Sequence, residues 1–192
     1  DWSSDVCSSD LVNGVDGLDR IRFLTSYPLG VTDKLVEAVA NLPKVCEHIN
    51  IPVQSGDDTQ LELMHRGYTL AQFQDRMRVI KQKLPGASLA TDVIVGFSGE
   101  TEEQFQHTLD LMEEVRFDVV HVAMYSVRPG TIAARTLPDD VPQEVKRERL
   151  HRVEQLQERI AAELNRPLLG RDLEILVEHQ KDGRWEGRTR TN

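Results

Sequence analysis

An α/β fold with a parallel sheet is the class this sequence predicts, on three observations. Short β-branched runs alternate with segments whose apolar residues recur at helical spacing. Strands separated by helices make βαβ units, and right-handed crossovers then bring every strand's C-terminal end to one rim. Four of the runs end in polar turns, three of them with glycine, and in such folds chemistry sits on that rim.

The elements follow in order. Residues 1–11 (DWSSDVCSSDL) are rich in Ser and Asp, have no period and look like a translated sequencing adapter. They are set aside, and the native reading starts near Val12, with the true N-terminus expected upstream. Residues 20–26 (RIRFLTS) read as a strand. Residues 32–42 place Leu35, Val36, Val39 and Leu42 on one helical face, with Thr32 as N-cap. Residues 48–53 (HINIPV) read as a second strand, and residues 57–66 as a helix. Residues 69–84 read as a helix opened by a Thr69/Gln72 capping box and stopped by Pro85-Gly86. Residues 88–97 (SLATDVIVGF) are a third strand. Residues 101–115 are a helix with a second capping box, Thr101/Gln104. Residues 118–127 are a fourth strand. A long helix runs from about Pro142 to Leu164, with Val145, Leu150, Val153, Leu156, Ile160 and Leu164 near one face. Residues 12–165 thus form the main domain, 166–171 a linker, and 172–192 two strands around a Lys-Asp-Gly turn.

Composition narrows the function. The two cysteines, Cys7 and Cys46, exclude a disulfide scaffold and a cysteine-only metal site. Cys46 reads as a buried thiol. The net charge of −9 argues against a protein that offers its whole surface to nucleic acid. Residues 171–192 are neutral, with five basic and five acidic residues, so the body carries the charge. No apolar run could span a membrane and no signal peptide is evident, so a cytoplasmic location is expected.

The stretch LATDVIVGFSGETEEQF (residues 89–105) carries the most information. A strand crosses a Gly-Phe-Ser-Gly turn into an acidic helix. A phosphate loop needs free N–H groups and usually a lysine, whereas Glu100, Glu102 and Glu103 would repel a phosphate. The carboxylates complement the helix dipole. The glycines let backbone approach a flat neutral ligand such as a nucleobase.

These residues carry a resemblance. The stretch resembles the fifth strand and turn of the radical S-adenosylmethionine (SAM) enzymes. Residues 45–69, YSVRPGT (125–131) and GRTRTN (187–192) resemble their methylthiotransferase branch. The nearest likeness, over roughly residues 12–192, is to the MiaB-type tRNA methylthiotransferases. PVQSG (52–56) separates these from relatives that modify a ribosomal protein. The resemblance implies the C-terminal part of a partial (β/α)6 barrel, from its third to sixth strand, followed by the start of a small β domain called TRAM. It implies addition of a methylthio group to C2 of N6-isopentenyladenosine at position 37 of tRNA. One S-adenosyl-L-methionine supplies a methyl group, and another is cleaved to the radical that takes the C2 hydrogen. Two [4Fe-4S] clusters serve the full-length family proteins, but their cysteine ligands are absent here, so the chain is expected to be inactive alone. The implied partners are the tRNA anticodon loop and an electron donor for cluster reduction, with no membrane and a monomeric state.

By motif position, Gln54 should meet the SAM ribose, Arg66 the SAM carboxylate, and Asp92 a SAM hydroxyl or amine in the same pocket. The backbone from Ile94 to Gly96 should meet the adenine. Arg128 is placed near the tRNA adenosine or a cluster. Arg184, Arg188 and Arg190 are placed on tRNA phosphates. Each has a plainer reading: a helix-capping amide for Gln54, a solvated arginine for Arg66 and Arg128, a structural salt bridge for Asp92, and cross-strand pairs for the tail arginines. Two departures stand out. Tyr27 replaces the family's usual histidine and is given no role, and Ser98 replaces a usual proline.

The alternatives are a methylthiotransferase for threonylcarbamoyladenosine in tRNA and a non-catalytic RNA-binding relative. A hydrolase or P-loop barrel lacks its nucleophile elbow or phosphate loop here. An isolated chain short of two barrel strands is expected to be marginally stable.

Overall fold

The computed structural model describes residues 11–25 and 27–191. All of the 1–11 segment but Leu11 therefore lies outside the described residues, as do Ser26 and Asn192. Helix α1 spans Asp33–Asn41, and strand β1 spans His48–Asn50. Helices α2 (Asp58–Leu63) and α3 (Leu70–Lys83) follow, then β2 (Ser88–Val95) and α4 (Glu102–Val115). Strand β3 (Val119–Met124), the short α5 (Ile132–Thr136) and the long α6 (Gln143–Asn165) complete the body. The hairpin is β4 (Leu176–Lys181) and β5 (Arg184–Arg188). Among the described residues no helix is long and apolar enough to cross a membrane.

The sheet is parallel in the order β1-β2-β3, so its strand ends share one rim. On β2, Leu89, Thr91, Val93 and Val95 are buried under the helices. Alternation turns Asp92 and Ile94 to the opposite, half-open face. The core gathers Ile49, Ile51, Phe73, Ile80, Phe105, Met112, Phe117 and Ile160, with Cys46 fully buried beside them.

Local signals act as the sequence implied. Thr32 caps α1, and both capping boxes form, at Thr69/Gln72 and Thr101/Gln104. Asp182 and Gly183, both at positive φ, make the hairpin turn. Three expectations change. Of the expected strand 20–26, the described residues 20–25 form none. Ile21 makes one parallel bridge to Val45 at the edge of the sheet, with no further bridge to extend it. Helix α2 stops at Leu63, because His65 turns left-handed at φ 54°. Helix α5 was not foreseen; Thr131 caps it by accepting from the Ala134 N–H at 3.2 Å.

Helix α6 packs onto β3 and the same core through Val153 and Ile160, with Leu150, Leu156 and Leu164 beside them. Val145 stays half-exposed, and Lys146 and Arg149 are buried instead. Read back from Ile160 at three- and four-residue steps, the stripe passes Leu156, Val153, Arg149 and Lys146. Their charge hides them from an apolar count.

Candidate functional site

A cavity of about 500 Å³ opens at the rim, between the ends of β2 and β3 and the turn after α2. Gln54, Arg66, Ile94 and Arg128 all line it, so four residues distant in sequence meet. Its floor is apolar, with Ile94 beside its cross-strand neighbour Ala123 and with Phe97 and Tyr125 in edge-to-face contact at 4.7 Å.

Gln54 sits at φ 71°, rare for a residue with a side chain. A parallel bridge to β2 holds it there: its N–H donates to the Asp92 carbonyl at 2.8 Å, and its carbonyl accepts from Ile94 N–H at 2.9 Å. Such strain costs about 1–3 kcal/mol and persists where surroundings enforce it, often at functional sites. The residue is 7 % exposed, and its side-chain amide has no hydrogen-bond partner among the described residues. Gln54 does not cap the next helix. Asp57 does, accepting from Thr59 and Gln60 at 3.0 and 3.1 Å. Gly56 follows Gln54 because α4 crosses there: an added Cβ would lie 2.5 Å from the His107 carbonyl oxygen.

Arg66 reaches the cavity through the end of α2. With His65 left-handed, the Arg66 N–H returns to the Leu61 carbonyl at 3.0 Å, a Schellman closure. Its buried Nε has no hydrogen-bond partner, and its guanidinium makes no ion pair among the described residues. The adjacent wall is firm. Tyr68 is buried and donates to the Val53 carbonyl at 2.8 Å, and burial pushes its phenol up to about 12. Tyr27, given no role from sequence, stands edge-on to it at 5.7 Å and donates to the Gly67 carbonyl at 3.1 Å.

Two expected neighbours are not among the residues that line the cavity. Asp92 does not line the cavity. It shares the Ile94 face but sits two residues deeper, about 7 Å along the strand, where it accepts from Asn50 Nδ2 at 3.2 Å. Among the described residues it makes no salt bridge. At Gly96 the space a side chain would take is filled by Lys146, whose Cγ lies 2.3 Å from an ideal Cβ position. Its N–H donates to Glu100 Oε2 at 2.6 Å.

Glu100 therefore does more than complement a helix dipole. Its side chain is 1 % exposed and pairs with Arg149, itself 4 % exposed, at 2.8 Å. Burial raises its pKa, opposed by the Gly96 N–H and the Arg149 charge. Glu102 is outside, paired with Arg152 at 2.6 Å.

Arg128 is exposed at the cavity mouth, in the turn whose Thr131 caps α5, and it makes no ion pair among the described residues. The tail arginines divide. Arg184 is exposed and unpaired among the described residues. Arg188 pairs with Glu178 at 2.7 Å, the cross-strand alternative. Arg190 is committed to the body: it pairs with Glu47 at 2.7 Å and donates to the Pro43 and Val45 carbonyls at 2.8 and 2.6 Å. A guanidinium so occupied has few donors left for a phosphate.

Cys46 is the one cysteine among the described residues, and no group of three His, Cys, Asp or Glu among them could hold a metal ion. A [4Fe-4S] cluster held by cysteines does not fit these residues. SAM does fit: the unpartnered Arg66 Nε faces the need of a carboxylate, and the apolar floor that of a flat base.

A sequence profile of the radical SAM superfamily matches residues 7–112, more than half of the chain. The chain belongs to the radical SAM superfamily. Among curated proteins of this superfamily, it is 50 % identical over 190 residues to tRNA-2-methylthio-N(6)-dimethylallyladenosine synthase of Chloroflexus aurantiacus, covering 96 % of this chain and 41 % of that protein. Proteins of the same name from Dehalococcoides mccartyi strain CBDB1 and Roseiflexus sp. RS-1 are 47 % and 48 % identical. Those alignments cover 95 % and 94 % of this chain, and 44 % and 39 % of the relatives. The chain spans about two fifths of the length of these relatives.

Proposed function

We propose that this chain is the SAM-binding and tRNA-facing portion of a tRNA methylthiotransferase that modifies N6-dimethylallyladenosine. One observation supports it above the others: a buried, unpartnered Arg66 Nε lines the same cavity as Gln54, whose backbone is held at positive φ, over an apolar floor. The relatives' names carry the reaction. In this reading Arg66 forks the SAM carboxylate, as guanidinium suits carboxylate. Gln54 hydrogen-bonds the ribose, and Ile94 underlies the adenine. Bound SAM supplies the methyl group and the hydrogen-abstracting fragment. The chain's own residues bind it, orient it and exclude water. Arg128 at the mouth and Arg184 on the hairpin, both without ion pairs among the described residues, are offered to tRNA. The hairpin begins the small β domain, and the protein acts as a cytoplasmic monomer on the anticodon loop with an external electron donor.

The test is SAM binding by the complete reading frame, in wild type and in Arg66→Ala and Arg66→Lys. A charged, bidentate pair contributes about 1.5–3 kcal/mol, so the alanine variant should bind roughly 10–100-fold more weakly. Lysine should recover only part of this, because it lacks the fork. Equal affinity in Arg66→Ala would overturn the assignment.

A further inference from the structure

Lys146 is fully buried, although lysine is among the residues least often found inside. It comes from the first turn of α6 and threads between the two turns that wall the cavity. Its stem occupies the side-chain space of Gly96. Its Nζ donates to the Tyr125 carbonyl at 3.1 Å, bonds the Asp139 carboxylate, and lies 5.2 Å from the centre of the Tyr125 ring. The next residue of the same loop, Asp140, accepts from the Gly99 N–H at 2.8 Å. Two successive aspartates of LPDDVP thus clamp one wall to the other. Phe97 lies between Gly96 and Gly99, and it meets Tyr125 edge-on; both line the cavity.

We infer that Lys146, held by Asp139, is a positioning residue that sets the spacing between the Phe97 and Tyr125 walls of the cofactor cavity. The inference rests on the reading that this cavity takes SAM. Stability alone gives a poor reason for the arrangement. A buried ion pair is often no better than a well-packed apolar side chain of the same size, whereas a fixed geometry is a use that an apolar chain cannot supply. A methionine would fill the channel past Gly96 but release the Tyr125 carbonyl and Asp139. The walls could then shift against each other. Small misplacements of this kind cost binding and rate out of proportion to their size.

The experiment uses the complete, cluster-loaded protein with Lys146→Met and Asp139→Asn, the latter keeping the channel filled if the former fails to fold. Three quantities are read: affinity for SAM by equilibrium dialysis, affinity for an anticodon stem-loop RNA, and the melting temperature. The expected result is SAM affinity weakened roughly tenfold in Lys146→Met and less in Asp139→Asn, with RNA affinity near wild type although the broken pair lowers the melting temperature. If SAM affinity is unchanged in a folded variant, the positioning role is wrong. If SAM affinity, RNA affinity and melting temperature fall together, Lys146 is only structural and the inference is equally overturned. If the wild-type protein itself does not bind SAM, the parent reading falls, and this one with it.

Discussion

Replacing Arg149 by methionine should make stability depend on pH in a way that identifies its partner. The wild-type pair is nearly dry, with Arg149 4 % and Glu100 1 % exposed and the charged atoms 2.8 Å apart. Arg149 also donates to the Glu100 carbonyl at 2.9 Å. Methionine keeps most of the volume against Phe105 but leaves the carboxylate with only the Gly96 N–H. Breaking one side of such a pair costs about 3–5 kcal/mol, a large share of the 5–15 kcal/mol typical of a domain. The sign follows from Glu100. Burial raises its folded pKa above the ordinary 4.5, so its contribution is fully present below that value and is lost as pH rises through the folded pKa. Without Arg149 the folded pKa rises further. The deficit against wild type should therefore open as pH rises past the wild-type folded pKa and be complete above the variant's still higher one. Urea unfolding of both proteins, followed by circular dichroism at pH 5 and pH 8, reads the two deficits. The added change Glu100→Gln should recover most of the loss at pH 8, since no charge is then left buried. A deficit of under about 1 kcal/mol at pH 8, or one equal at both pH values, would refute the reasoning.

Gly56→Ala places a Cβ 2.6 Å from the Thr108 Cα. Overpacking against backbone should cost about 1–3 kcal/mol and lower the melting temperature by roughly 2–10 °C in a scanning-calorimetry trace. Arg190→Ala removes the Glu47 pair and two carbonyl contacts, so hydrogen exchange should speed up in β4 and β5 while β2 stays protected. Because Arg190 lowers the Glu47 pKa, that tether is present above the ordinary 4.5 and fades as pH falls through the lowered value, which the same exchange measurement in acid should register. Tyr68 should ionise late in an ultraviolet titration, at about 12, and Tyr68→Phe should delete that late step.

Much of the fold was legible because it rests on local chemistry. Thr32, Thr69 and Thr101 announce helix starts by the bonds their hydroxyls can accept, and Asp182-Gly183 announces a hairpin by its tolerance of positive φ. The β-branched run at β2 and the helical stripes on either side dictate a parallel sheet. The site was legible in part. Gln54, Arg66 and Arg128 follow strand or helix ends and Ile94 is the penultimate residue of β2, and parallel topology gathers such ends at one rim. Alternation sets which face Asp92 takes but not its depth, and the fold sets it beside Asn50.

What the sequence determined by itself is whatever a residue does within a few positions of itself: caps, turns, periods, and the order of strands and helices that follows from them. What only the tertiary structure decided depends on contacts across the chain. Nothing local marks Lys146 and Arg149 as buried, because a charge enters a core only when partners outside its own helix wait for it: Asp139 and the Tyr125 carbonyl for one, Glu100 for the other. Gly96 and Gly56 read as turn residues until Lys146 and helix α4 are seen in the space their side chains would need. Arg190 reads as a ligand for phosphate until Glu47 is found beside it. A charge or a missing side chain takes its meaning from its neighbour, and the fold chooses the neighbour.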